Sequence, residues 1–127
     1  MVVDSSALLA YLQKEPGATM VDAALKKGLL LSSVNRTEII GKLVGKGVPV
    51  NEVTADLNAM TLEVVEFDLE QSDLAAHWYA RRSAYDLSLG DCACLALAEA
   101  RGVKVLTGER AWAKLPGLRV EVQLIRD

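Results

Sequence analysis

The chain has 127 residues, 17 acidic against 14 basic and one His, for a formal charge of -3, with 51% hydrophobic and 5% aromatic residues. That length implies one domain over residues 1–127, large enough to bury roughly two-thirds of its unfolded surface without disulfides or a structural metal. A mean hydropathy of +0.21 excludes a disordered chain, and a pI of about 5.2 excludes a polycation that grips nucleic acid by bulk charge.

In chain order, the apolar run MVV before Asp4 reads as a short strand. SSALLAYLQ follows with Leu8, Leu9 and Leu12 at helical spacing, and Ser5 or Ser6 is the expected N-cap. After Pro16 and Gly17, ATMVDAALKK predicts a helix ending at Gly28. LLLS reads as a buried strand, and Ser32 or Ser33 caps a helix over VNRTEIIGKLVGK with Ile39, Ile40, Leu43 and Val44 in one stripe. Pro49 and Asn51 open a helix to about Met60, and LEVVEF, with Glu63 and Glu66 in its pattern, is strand-like. LEQSDLAAHWYARRSA reads as one helix, and YDLSLG as a polar break. DCACLALAEAR predicts an apolar helix that starts at Asp91 and is closed by Gly102; VKVLT is a strand, ERAWAKL a short helix and VEVQLI a last strand. Strands alternating with helices imply a three-layer α/β/α domain with a mainly parallel sheet of about five strands.

In such a sheet the ligand crevice lies beyond the C-terminal strand ends, so polar residues there are inspected first. Four acids fall in that zone: Asp4 after MVV, Glu38 in the helix after LLLS, Asp91 in GDCACLALA and Glu109 after VKVLT. Each has a local reading as a helix cap or a solvated charge. As a set they would repel one another unless cations neutralised them. Oxygen donors without His or Cys point to Mg²⁺ or Mn²⁺, which lower the pKa of a bound water and stabilise charge at phosphorus.

The segments MVVDSSALLAYLQKEPG, SSVNRTEII, LSLGDCACLALA and VKVLTGERAW, in this order, resemble the PIN-domain ribonucleases, specifically the VapC-type toxins of toxin-antitoxin systems. The resemblance implies a PIN-like fold, a Mg²⁺- or Mn²⁺-dependent endoribonuclease and an RNA substrate. Its catalytic and metal-holding acids fall on Asp4, Glu38, Asp91 and Glu109. It also implies a homodimer held inactive by a cognate antitoxin, in some cases within a larger assembly. One position departs from the pattern: the last acid is usually Asp in a Thr-x-Asp sequence, whereas here Thr107 and Gly108 precede Glu109, one methylene longer.

Asn35 lies three residues before Glu38, on the same helix face, and either caps its helix or orients that carboxylate; Ser5 beside Asp4 has the same two readings. Thr107 is expected to join the hydrogen-bond network of the acids. Arg36, Lys42 and Arg110 are candidate RNA contacts, with Lys46 behind them, and solvation explains them nearly as well. Asp86 reads as a turn residue, and His77 as a surface residue rather than a general base. Arg81 and Arg82 with Trp78 and Tyr79 form either a basic-aromatic RNA patch or a packing surface. Cys92 and Cys94 point to different sides of a helix and read as unbridged buried thiols.

The apolar content of SSALLAYL and ACLALAEA suggests a dimer face or a groove for a partner helix. MVVDSSALLAYLQKEP lacks the basic region of a secretory signal, and no apolar run is long enough to span a bilayer, so the expectation is a reducing cytoplasm and no membrane association. Two other functions compete: a catalytically silent PIN-like protein-binding module, and an aspartate-based phosphotransfer domain with Asp4 as acceptor. The second is disfavoured because Ser6 stands where a dehalogenase-type site needs a second Asp.

Overall fold

A computed structural model describes all residues, 1–127. Five strands, all parallel, form one sheet in the order β3-β2-β1-β4-β5. They are β1 (Val2–Val3), β2 (Leu29–Ser32), β3 (Leu62–Val65), β4 (Val105–Thr107) and β5 (Val122–Leu124). The helices are α1 (Ser5–Leu12), α2 (Ala18–Lys27), α3 (Ser33–Gly45), α4 (Val50–Ala59), α5 (Leu69–Tyr79), α6 (Arg82–Tyr85) and α7 (Leu89–Arg101). A 3-10 helix, Arg110–Lys114, bridges β4 to β5. No helix is long and apolar enough to cross a membrane.

Strand alternation sends successive side chains to opposite faces, and the core divides accordingly. Val3, Leu29, Leu31 and Leu106 face a layer built from α1 to α4, with Leu8, Val21, Ile39, Val53 and Leu57 in one cluster. Val2 and Val105 face the other layer, where Trp78, Leu87, Trp112 and α7 form the second cluster. The three-layer reading is therefore correct, with a sheet that is wholly rather than mainly parallel. Helix α7 is buried from Cys92 to Ala98 because it lies between the sheet and α5, and a helix apolar all round is stable only when so enclosed. The apolarity of ACLALAEA is thus absorbed inside one chain. It does not mark an outer face, contrary to the expectation. Of the apolar residues of α1, Leu9, Tyr11 and Leu12 stay partly open.

Three local readings are corrected. Asp4, not Ser5 or Ser6, is the N-cap of α1, its side chain accepting from the Ala7 N–H at 2.9 Å. Helix α7 begins two residues before Asp91: Ser88 is the N-cap and Asp91 the third helical residue, closing a capping box in which each side chain takes the other's backbone N–H. The long helix predicted over 69–84 breaks after Tyr79, since the chain must return to the strand ends to start α7. Asp86 makes that turn at φ +53, as its turn-residue reading anticipated. The predicted short helix over ERAWAKL is the 3-10 helix Arg110–Lys114.

Candidate active site

The strand order places the topological switch point between β1 and β4, because the chain leaves β1 toward β2 and leaves β4 toward β5 on the opposite side. The crevice beyond these two strand ends is where parallel sheets bind ligands. Asp4 directly follows β1 and Thr107 ends β4, and the Thr107 hydroxyl donates to Asp4 Oδ2 at 2.8 Å. Asp4 is only 2% exposed. Its oxygens accept in addition from Ala7 N and from the Ser6 hydroxyl, at 2.8 and 2.9 Å. Ser6 Oγ in turn accepts from Gly108 N, and Thr107 Oγ1 from Glu109 N. One buried carboxylate thus ties the start of α1 to the loop after β4.

A second network seats Glu38. Ser5 Oγ donates to Glu38 Oε1 at 2.8 Å, and Asn35 Nδ2 lies 3.0 Å from the same oxygen, 3.1 Å from Ser5 Oγ and 3.1 Å from the Gly90 carbonyl. Asn35 is 1% exposed, and its Oδ1 is buried with no partner. Two N–H bonds shared among three acceptors hold α1, α3 and α7 in register. Gly90 lies beneath the carboxylate: a Cβ there would collide with both oxygens of Glu38 and displace them from this seat.

Electrostatics show that the acids share one field. Burial pushes the Asp4 carboxyl up from 3.8 to about 6, outweighing the hydrogen bonds from Ala7, Ser6 and Thr107, and repulsion from Asp91 adds to the rise. Asp91, half-buried, is also raised, by burial first, against its bonds to Ser88, with Glu109 and Glu38 repelling it. No Lys or Arg pairs with any of the four; the ion pairs of the chain are Lys26–Asp22, Arg101–Glu63, Lys104–Glu121 and Arg119–Glu99. Glu109 is exposed at the rim. As the side chains stand, no three of them close around one point as a finished metal cage, because Asp4, Glu38 and Asp91 are each turned to hydrogen-bond donors. Their chemistry nevertheless fits a hard divalent cation: oxygen donors only, mutual repulsion and no internal counter-charge. The thiols do not compete as ligands, since burial pushes Cys92 up to about 11 and Cys94 well above its ordinary value.

The structure brings Asp4, Glu38, Asp91 and Glu109 into one neighbourhood, with Ser5, Asn35 and Thr107 bonded to them. Arg36, Lys42 and Arg110 make no ion pair with these acids. The Arg81–Arg82 patch is engaged within the chain: Arg81 stacks over Trp78 at 4.3 Å and Arg82 over Tyr79 at 4.1 Å. His77 is exposed near Arg119 and Glu99, on the last turn of α5. Sequence reasoning missed Ser6 as the partner of Asp4 and Gly90 as the seat of Glu38. The i, i+2 spacing of Asp4 and Ser6 was the available signal for the first. Nothing local signals the second.

An α/β domain with acidic side chains, Asp4 buried among them, at the switch point of a parallel sheet belongs to the architectures that bind ligands at their strand ends. The PIN domain family model matches residues 1–118, and the chain belongs to that family. Its fold is similar to that of a toxin-antitoxin complex from Klebsiella pneumoniae, at 18% identity over 99% of this chain and 98% of that one, with a TM-score of 0.72. It is also similar to DNA-bound VapBC from Salmonella typhimurium (19% identity, 96% and 98% covered, TM-score 0.70). VapBC2 from Rickettsia felis bound to a promoter DNA fragment matches at 15% identity, with 96% and 97% covered and a TM-score of 0.71. No curated protein sequence matches the chain.

Proposed function

We propose that the protein is a Mg²⁺- or Mn²⁺-dependent endoribonuclease of the VapC toxin type. The observation that supports this reading is the set of four carboxylates on four separate segments near one crevice, with Asp4 and Asp91 raised in pKa and none of the four given a basic partner. A cluster of this kind is costly to fold unless a cation serves it. Asp4, Asp91 and Glu38 would hold the ion, and Glu109 at the rim would reach it or its water. Bound there, the ion supplies a water of lowered pKa and offsets charge developing at the scissile phosphate. Ser6 and Thr107 orient Asp4 and offset part of the rise that burial causes, and Ser5 and Asn35 orient Glu38. Without these four acids the chain carries a net charge of +1, so its acidity is local to the site and does not repel RNA elsewhere.

A phosphotransfer role for Asp4 is disfavoured because Ser6 stands where a second Asp is needed, and its hydroxyl donates to both Asp4 oxygens. Neutralisation by a protein antitoxin, homodimer formation and a cytoplasmic site of action belong to the same proposal. The antitoxin is supported by the toxin-antitoxin and VapBC complexes among the similar folds. The test is cleavage of single-stranded RNA by purified protein with Mg²⁺ or Mn²⁺. The expected products carry 5′-phosphate and 3′-hydroxyl ends, and Asp4→Asn abolishes them. Cleavage that persists in EDTA, or 2′,3′-cyclic phosphate ends, would refute the reading.

A further inference from the structure

We infer that Arg126, in the C-terminal segment, is a phosphate-binding arm of the acid site that holds the RNA backbone where it crosses the loop after β4. The inference rests on the nuclease reading above and adds a residue that neither the acid motifs nor the basic residues near them contain.

The placement of Arg126 is built into the fold. Ile125 N donates to Thr107 O at 3.0 Å, continuing the β4–β5 pairing past the strand end. The Ile125 side chain, 3% exposed, packs onto Gly17, where a Cβ would meet both the isoleucine side chain and its carbonyl within 2.9 Å. Gly17 also has φ +98, a conformation that other residues rarely adopt. The tail is therefore docked into the α1–α2 turn at a position only glycine accommodates, and Arg126 Nη1 is pinned to the Pro16 carbonyl at 2.9 Å.

The other arm of the guanidinium points at the site. Nη2 lies 3.1 Å from where a Cβ on Gly108 would sit, and Ser6 Oγ lies 3.3 Å from the same point. Ser6 is the residue whose hydroxyl holds both oxygens of Asp4. Arg126 thus stands beside the Asp4 network without an acidic partner, since none of the four ion pairs includes it. One N–H is satisfied by a fixed carbonyl, and the exposed remainder of a planar fork is left to an anion. Phosphate is the anion that the adjacent acid site must receive. A cation held a short way from the acids, rather than paired with them, attracts the polyanion without displacing the metal. A group that holds a flanking phosphate binds substrate and transition state equally, so its loss raises KM and leaves kcat nearly unchanged.

The experiment compares the full chain with Arg126→Gln and Arg126→Lys. It measures steady-state cleavage of a fluorescent single-stranded RNA in Mn²⁺, anisotropy of the same RNA in Ca²⁺ over a range of KCl, and Tm. Arg126→Gln is expected to raise KM about 5- to 10-fold with kcat within about twofold, and to reduce the slope of log affinity against log salt by roughly 1. Arg126→Lys recovers part of the loss, since it keeps the charge but not the fork. A wild-type chain that cleaves RNA alongside an Arg126→Gln variant with unchanged KM and salt slope overturns the inference and leaves the nuclease reading standing. So does a KM loss that follows a fall in Tm and is equal in both variants. A wild-type chain that neither binds nor cleaves RNA overturns the nuclease reading, and this inference with it.

Discussion

Removing the charge of Asp4 tests the site through stability before any activity is measured. The carboxyl is 2% exposed and pushed from 3.8 to about 6, with burial the largest cause. A carboxyl whose pKa is higher in the folded chain binds its proton more tightly there than in the unfolded chain. The folded anion is therefore a destabilising element, fully felt above about pH 6, relieved as pH falls toward 3.8 and absent below it. At 1.36 kcal/mol per pH unit the penalty is about 3 kcal/mol. Asp4→Asn keeps the size of the side chain and an oxygen to accept from Ala7 N while removing the charge. Its new N–H bonds must find acceptors in the hydroxyls of Ser6 and Thr107, and Thr107 already accepts from Glu109 N, which offsets part of the gain. In EDTA near neutral pH the variant is expected to be more stable than wild type by about 1–3 kcal/mol, a rise in Tm of about 3–10 °C. Thermal melts between about pH 4 and pH 8 should show a flatter profile for the variant, the remaining slope coming from Asp91, whose raised pKa persists. With Mn²⁺ the order narrows or reverses, because only wild type gains stability from the ion. A variant that melts below wild type in EDTA, with the same slope between pH 4 and 6, would refute the reasoning.

Three further outcomes follow from the packing of the site and its support. Asn35→Ala should cost about 2–4 kcal/mol in urea unfolding, because Glu38 and the buried Gly90 carbonyl lose their donor; a loss under about 1 kcal/mol shows that the hub is dispensable. Gly90→Ala within a helix would ordinarily stabilise by roughly 0.5–1 kcal/mol. Here the added methyl meets the Glu38 carboxylate, so a loss of about 1–3 kcal/mol and a fall in metal-dependent cleavage are expected, and an unchanged Tm and rate would remove Glu38 from its assigned seat. Trp78→Phe takes the indole N–H from Glu99 Oε1, a 2.9 Å bond to a carboxylate whose side chain is 4% exposed, and should lower stability by about 1–3 kcal/mol in the same assay; equal midpoints would show that Arg119 satisfies Glu99 alone.

The elements that sequence patterning identifies well are those whose burial is local and one-sided. ATMVDAALKK becomes α2 with the predicted ends because its apolar stripe, last-turn lysines and Gly28 all give the same answer. The first and last strands are found from their apolar runs although they span only two and three residues. Patterning fails where tertiary demands override it. The helical periodicity of residues 69–84 runs through a point where the chain must reverse, and the apolarity of α7 marks enclosure by α5 and the sheet rather than a partner surface. The Arg81–Arg82 patch looks like a nucleic-acid contact in one dimension and is spent on Trp78 and Tyr79 in three.

The α/β alternation and the four suspect carboxylates are legible in the chain alone, because strand ends and acid positions are local features. That these acids share one electrostatic neighbourhood depends on the packing of distant segments. Strand order 3-2-1-4-5 opens a crevice between β1 and β4, and residues about a hundred positions apart, Asp4 and Thr107, bond across it. The seat of Glu38 over Gly90, the clasp of Ser6 on Asp4 and the approach of Arg126 to Gly108 likewise depend on contacts between segments distant in the chain. No periodicity encodes such contacts, since each is set by how the layers pack rather than by the residues on either side of it.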